Sequence, residues 1–453
     1  MSGWPQLRVQ RRTNVNSLWR VFLSLLGVVA AGSTTALSAG SCNSASVVGA
    51  GATAAEGTHA CLVTIDGAAQ CWGFNGNGEL GNGTQISSTT PVQVSGLPSG
   101  ASLVSAGGGH SCILASGGAA QCWGYNSVGQ LGNGTTTTST TPVLVSGLSS
   151  GVTSIAAGLY HTCAVTNAGA TLCWGYNIYG QLGNNTTTSE TIPVAVSLGL
   201  FGKAVSITAG DYHSCVVTGL GAAVCWGLNS SGQLGTGTGI VQSLTPVSVA
   251  GLSSGVKQVS AGVTHTCAVT GAGAVFCWGS NSFGQLGNGT TTLSNSPVNV
   301  SGLSSGAVAV SAGEIHSCAL TSAGGVLCWG DNSYGELGNG TDTGSTVPVA
   351  VSGLSAGVQA ISAGFGYTCA VTNSGAVECW GYGGDGNLGD GNGINTNVPV
   401  MVSGFDGSTS GCMSNSSASA SDGPIPLWAL ATLGALFLVI GFRVSATGKG
   451  SSV

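Results

Sequence analysis

Sixteen cysteines, six histidines and seven Trp-Gly pairs are the residues of this 453-residue chain best able to do chemistry. Fourteen of the cysteines come in pairs ten residues apart: Cys61 with Cys71, Cys112 with Cys122, Cys163 with Cys173, Cys215 with Cys225, Cys267 with Cys277, Cys318 with Cys328 and Cys369 with Cys379. Such thiols could hold a metal or join in disulfides. Zinc sites favour short CxxC knuckles, whereas a ten-residue separation spans a hairpin. Between Cys163 and Cys173 lies Thr166-Asn167-Ala168-Gly169, whose Asn and Gly suit the positive φ of a tight turn. Folding about Ala168 sets Cys163 opposite Cys173, where facing residues of antiparallel strands lie about 4.5–5.5 Å apart at Cα, within disulfide reach. Seven disulfides within hairpins are therefore expected, with no metal and no cofactor. Cys42 and Cys412, one before and one after the paired cysteines, are expected to bond and lock the ends of the fold.

The histidines His59, His110, His161, His213, His265 and His316 each stand two residues before the first Cys of a pair. A ring of six imidazoles could hold a metal or move protons, or could serve the scaffold. Each Trp-Gly reads as structural, since a Trp ring buries about 150–250 Å² and the Gly beside it allows close packing between neighbours. Sugar stacking is the rival use of these rings. Asn126, Gln130 and their equivalents are expected to bond turn backbones. Asn82, Asn133, Asn288 and Asn339 begin Asn-Gly-Thr triplets that match a glycosylation sequon and equally suit turns. The chain has no GxSxG, P-loop, HExxH or DxDxDG motif, and no catalytic constellation is expected.

The elements that must position these residues follow from a repeat. Trp72, Trp123, Trp174, Trp226, Trp278, Trp329 and Trp380 are spaced by 51 or 52 residues. A unit of that length with several short β-rich stretches separated by glycine turns is a propeller blade. In the third copy the stretches are 152–156, 161–166, 170–174 and 193–196. The predicted fold is all-β: a seven-bladed β-propeller of seven repeats, over residues 41–405. The seventh copy departs from the pattern, with Tyr367 for His, Gly383 for Asn and Asn387 for Gln or Glu, as expected where a ring closes.

Charge narrows the function. The chain carries 8 Lys and Arg against 14 Asp and Glu, and only Lys203 and Lys257 lie within the repeats. Nothing there could neutralise a phosphate backbone, so nucleic acid is excluded as a partner. Paired cysteines point to an oxidising compartment. Residues 1–40, with a basic start and an apolar stretch over 21–32, read as a signal peptide. Residues 406–423 form a Ser/Gly-rich linker, and 424–453 hold an apolar run over 425–442 followed by Arg443, long enough for a transmembrane helix. Pro424-Ile425-Pro426-Leu427-Trp428, the helix and Arg443 resemble the tripartite C-terminal sorting tails of Gram-negative bacteria. By that likeness the tail is either cleaved or kept as the membrane anchor, and the protein is exported to the periplasm, outer envelope or cell surface.

The run from Ala157 to Val165, then Trp174-Gly175-Tyr176-Asn177-Ile178-Tyr179-Gly180-Gln181-Leu182-Gly183-Asn184, then Pro193-Val194, resembles the repeat of the regulator of chromosome condensation family, here in a secreted bacterial form. The resemblance runs through seven copies and implies a seven-bladed propeller. It also implies that the six histidines are structural, bonding neighbouring backbone. For the founding member it implies nucleotide exchange on a small GTPase, and for secreted members it implies binding. The favoured function is an exported binding module for a protein or glycan, without catalysis. The alternatives are a regulatory exchange factor and a lyase or hydrolase using the central channel. Loop residues that differ between copies are the expected partner contacts: Leu159-Tyr160, Asp211-Tyr212, Val263-Thr264, Glu314-Ile315 and Phe365-Gly366.

Overall fold

The computed structural model describes residues 45–50, 59–97 and 100–408. The signal peptide, Cys42, Cys412, most of the linker and the apolar run at 425–442 lie outside the described residues. Among the described residues no helix is long and apolar enough to cross a membrane.

Four consecutive strands make each of seven antiparallel sheets, and no strand leaves its own sheet. In the third blade they are β1 (Val152–Ala157), β2 (His161–Thr166), β3 (Thr171–Gly175) and β4 (Glu190–Ala195). The first strands of neighbouring blades touch all the way round, including that of blade 1 (Ala45–Ala50) against that of blade 7 (Val358–Ala363). The sheets are therefore the blades of a closed seven-bladed β-propeller with first strands innermost.

The β2–β3 hairpin explains the cysteines. Gly169 N donates to Thr166 O and Thr166 N to Ala170 O, a three-residue loop whose left-handed position is Gly169 (φ 78°). Asn167 takes no positive φ, contrary to expectation, because this loop needs only one such residue. Thr166 and Ala170 are thus hydrogen-bonded, and alternation makes Cys163 and Cys173 a non-hydrogen-bonded pair, the close kind.

All seven ten-residue pairs are bonded as expected. Cys61 is joined to Cys71, Cys112 to Cys122, Cys163 to Cys173 and Cys215 to Cys225. Cys267 is joined to Cys277, Cys318 to Cys328 and Cys369 to Cys379. Their Cα atoms lie 4.0–4.1 Å apart, below the 4.5–5.5 Å expected from strand pairing; every pair occupies the close register, whose ordinary spacing is about 4.5 Å. Each loop closure is worth roughly 2–3 kcal/mol in the chain-entropy treatment.

β4 starts three residues before its predicted position. Its half-buried Glu190 and Thr191 hide its start, and Pro193 sits at a bulge opposite Trp174 and does not begin the strand. Proline recurs there in every blade, on the outermost strand, where a missing N–H blunts an open edge.

The core lies between blades, not within them. Trp174 of blade 3 packs on Cys112, Cys122, Leu131 and Val145 of blade 2, and equivalent clusters fill the other six seams. The glycine that makes room for this Trp is not its neighbour. A Cβ on Gly175 would meet Tyr160 O of its own blade at 2.5 Å, whereas one on Gly132 of the preceding blade would meet Trp174 Nε1 at 2.5 Å.

Candidate docking face

The six histidines are fully buried at the seams. His161 Nε2 lies 2.8 Å from Ser214 Oγ of the next blade. That hydroxyl donates to Gln181 O at 3.0 Å, and Trp226 Nε1 donates to the same oxygen at 2.8 Å. The hydroxyl proton being committed to the carbonyl, Nε2 must donate to the hydroxyl; Nδ1 is buried with no hydrogen-bond partner, so nothing there would support a second ring proton and the imidazole is neutral. Burial pushes His59 and His316 down to about 4 and the other four to about 3, with neighbouring imidazoles adding to the effect at His110, His161 and His265. Each histidine therefore bonds the hydroxyl that in turn bonds the backbone, one link more than the sequence resemblance implies. Among the described residues no group of three His, Cys, Asp or Glu is placed to hold a metal.

Asn126, Asn177 and their equivalents do bond turn backbones. Asn177 Nδ2 donates to Thr186 O and Thr188 O, while its Oδ1 accepts from Leu182 N at 2.9 Å. Gln130 Oε1 accepts from Val128 N, and Gln181 Oε1 from Tyr179 N. Asn82, Asn133, Asn288 and Asn339 each accept the hydroxyl of the Thr two residues on, at 2.7–2.8 Å.

In a four-strand meander the β1–β2 and β3–β4 loops emerge at one end of the blade and the β2–β3 turns at the other. The first end of the ring carries a row of tyrosines. Tyr125 of blade 2, Tyr160 and Tyr176 of blade 3 and Tyr212 of blade 4 follow one another with ring centroids 6.0–6.3 Å apart, and Tyr179 meets Tyr212 at 5.2 Å, edge to face. All five rings are half-buried. Across the ring Tyr334 and Tyr382 of blades 6 and 7 pair at 5.2 Å over Gly366.

Carboxylates crowd the same end. Burial and the charge of Asp331 raise Glu314 to about 7, and burial with the charges of Asp331 and Glu314 raises Glu336 to about 7 against its backbone hydrogen bonds. Burial and then Asp211 push Tyr212 up to about 12. Of the twelve Asp and Glu among the described residues, all but Asp66, Glu378 and Asp406 lie in or beside these loops, nine in all; Lys203 and Lys257 begin first strands at the opposite end.

Of the residues singled out from sequence, Tyr160, Tyr212, Glu314 and Phe365 are half-buried on this face. Leu159 is 3 % exposed and Asp211 4 % exposed, so Leu159 belongs to the core and Asp211 is buried, close enough for its charge to act on Tyr212. Sequence reasoning missed Tyr125, Tyr176, Tyr179, Tyr334 and Tyr382. They occupy the positions one after Trp-Gly and two after the turn Asn, which elsewhere hold Leu228, Ser280, Val128 or Ser231; that variation was the available signal.

Comparison with known proteins agrees with the fold. The RCC1-like domain family matches residues 41–309 and, in an overlapping placement, 104–423. The chain is 32 % identical to the ultraviolet-B receptor UVR8 of Arabidopsis thaliana over 316 residues, 68 % of this chain and 71 % of the receptor. It is 32 % identical to the human E3 ubiquitin-protein ligase HERC2 over 64 % of this chain, but spans only 6 % of that protein. Yeast Prp20p superposes with a TM-score of 0.67 at 23 % identity, over 75 % of this chain and 87 % of that one, and its crystal structure is described together with its binding to Gsp1p and histones. Human WBSCR16 gives 0.66 at 25 % identity, over 73 % and 92 %. Seven four-stranded blades, the Trp and His seams and these matches together make the chain a member of the RCC1-like domain family.

Proposed function

We propose that this protein is an exported binding module that docks a protein or glycan on the loop face bearing Tyr160 and Tyr212, and that it performs no catalysis. The observation that carries this is the contrast between constant seams and changing loops. Equivalent positions hold Phe74, Tyr125, Tyr176, Leu228, Ser280, Asp331 and Tyr382 in successive blades, while the Trp and Cys beside them do not vary. Variation on a fixed scaffold suits a partner-specific surface. The imidazoles that could serve as acids or bases each have Nε2 engaged at a seam.

Export is favoured by seven bonded cysteine pairs and by the basic-then-apolar start of the chain. The 425–442 run would supply an anchor or a cleaved sorting tail. The test is a non-reducing peptide map of the protein from its native envelope, with cross-linking of whatever it holds. Seven disulfides, a trimmed N-terminus and cross-links to the tyrosine-bearing loops are expected. Free thiols with an intact N-terminus would reject export. A second reading, a regulatory exchange factor for a small GTPase, is favoured by family membership and by the yeast relative described with its binding to Gsp1p, and free thiols would move it to first place.

A further inference from the structure

We infer that the segment docked on this face is a cationic stretch of polypeptide, its Lys or Arg side chains lying over the tyrosine row and between the carboxylates of blades 6 and 7. The inference rests on the docking-face reading and adds the chemistry of the partner. Three observations carry it. The first is segregation: nine carboxylates lie at the loop end of the ring, while both lysines among the described residues lie at the other end. The second is aromatic placement. Seven of the eight tyrosines are in these loops, and five form the continuous half-buried row across blades 2 to 4. Ring faces with negative quadrupoles attract ammonium and guanidinium groups. Tyrosines alone would serve a neutral sugar equally well, but a sugar gains nothing from the six carboxylates at this end that lie outside the core, Glu190, Glu314, Asp331, Asp342, Asp385 and Asp390. The third is mutual repulsion. Burial raises Glu314, Tyr212 and Tyr382 most, and Asp331, Asp211 and Asp385 respectively raise them further, so the field of the neighbouring carboxylates at these groups is negative as the chain stands. An arriving cation removes that repulsion, whereas a nucleic acid or an acidic peptide adds to it.

The experiment uses the full chain, purified with its disulfides intact, and a fluorescent octalysine peptide as probe, against a neutral Gly-Ser peptide, an octaglutamate and a neutral hexasaccharide. Octalysine is expected to bind, and to weaken at least about tenfold between about 20 and 300 mM salt as screening sets in. Glu314→Gln with Asp331→Asn, which keep side-chain shape, should weaken it by at least about fivefold. Tyr160→Leu should weaken it about two- to fivefold. Glu378→Gln with Asp406→Asn, away from the loop face, should leave it unchanged. Equal binding of octalysine and the Gly-Ser peptide, no binding of octalysine at low salt, or an unchanged affinity in the double carboxylate variant would each overturn the inference. Cross-linking of the native partner separates this from its parent reading. A neutral or acidic partner segment on the tyrosine loops ends the cationic assignment and keeps the docking face; a footprint on the opposite turns ends both.

Discussion

Six seams between blades are joined by one chain of atoms, and the seventh is joined by another. At the six, an imidazole reaches a Ser or Thr hydroxyl of the next blade, which donates to the carbonyl that also receives the next Trp indole. Where blade 7 meets blade 1 the hydroxyl position is Ala60, and a histidine in blade 7 would face nothing. Tyr367 stands there, and its longer side chain donates directly to His59 O at 2.7 Å. Trp72 Nε1 still donates to the blade 7 carbonyl, Asn387 O, at 2.9 Å. Gly383, in place of the turn Asn, lets Ile394 come so close that a Cβ would lie 2.3 Å from its carbonyl oxygen. Tyr367 and Ala60 are therefore coupled: lose one hydroxyl in blade 1, and the side chain that sought it changes.

Acid should distinguish the two kinds of seam most strongly. The six histidines have folded values of about 3 to 4, below the ordinary 6.5, so between about pH 6.5 and 4 the unfolded chain binds protons that the folded chain refuses, and stability falls as pH falls. Glu314 and Glu336, raised to about 7, act oppositely: their contribution is whole below about 4.5 and is lost as pH rises through 7. Burial also raises Glu79 and Glu378, but the six histidines outweigh these four carboxylates, so thermal melts followed by circular dichroism should show Tm dropping on acidification across that window. A Tm that holds level down to pH 4 would contradict the neutral-imidazole seam.

His161→Ala should destabilise by about 2–4 kcal/mol, from the cavity and from the Ser214 hydroxyl left without its donor. Denaturant melts would measure it, and a loss below about 1 kcal/mol would mean the seam relies on packing alone. Tyr367→His should cost about 1–3 kcal/mol, since its Nε2 would face Ala60. Adding Ala60→Ser should restore most of that loss by recreating the regular seam, with Asn387 O as the hydroxyl's acceptor; a double-mutant cycle with no coupling would sink the coupled-deviation account. Smallest, Tyr367→Phe should cost about 1 kcal/mol by deleting the bond to His59 O, read from the same melts.

Much of this is legible in the chain itself. The ten-residue spacing yields the Cys163–Cys173 register because a hairpin's pairing depends only on its turn and on period-two alternation. The same holds for Cys61 with Cys71 and for Cys369 with Cys379 at the two ends of the ring, where the neighbouring blade differs but the hairpin does not. The 51- and 52-residue Trp spacing yields the blade count. Tyr367 can be recognised as deviant, but its reason cannot, since its partner His59 is 308 residues away. The start of the outermost strand is hidden because half-buried Glu190 and Thr191 carry no clear alternation. Of the candidate docking face, the loop residues before each His and those after each Trp-Gly both vary between copies, but which of them meet is decided by ring closure.

The sequence by itself thus determined what is local and repeated: strand pairing, disulfide partners, the number of blades and the near-absence of cations within them. Only the tertiary structure decided what is assembled from distant copies. Tyr125, Tyr160 and Tyr212 form one row, and Glu314 lies by Asp331, because closure of seven sheets into a ring brings the same end of every blade to one face. Seam partners likewise depend on the angle at which one blade packs against the next, which is set by Trp and glycine contacts between blades and not by any neighbour in the chain.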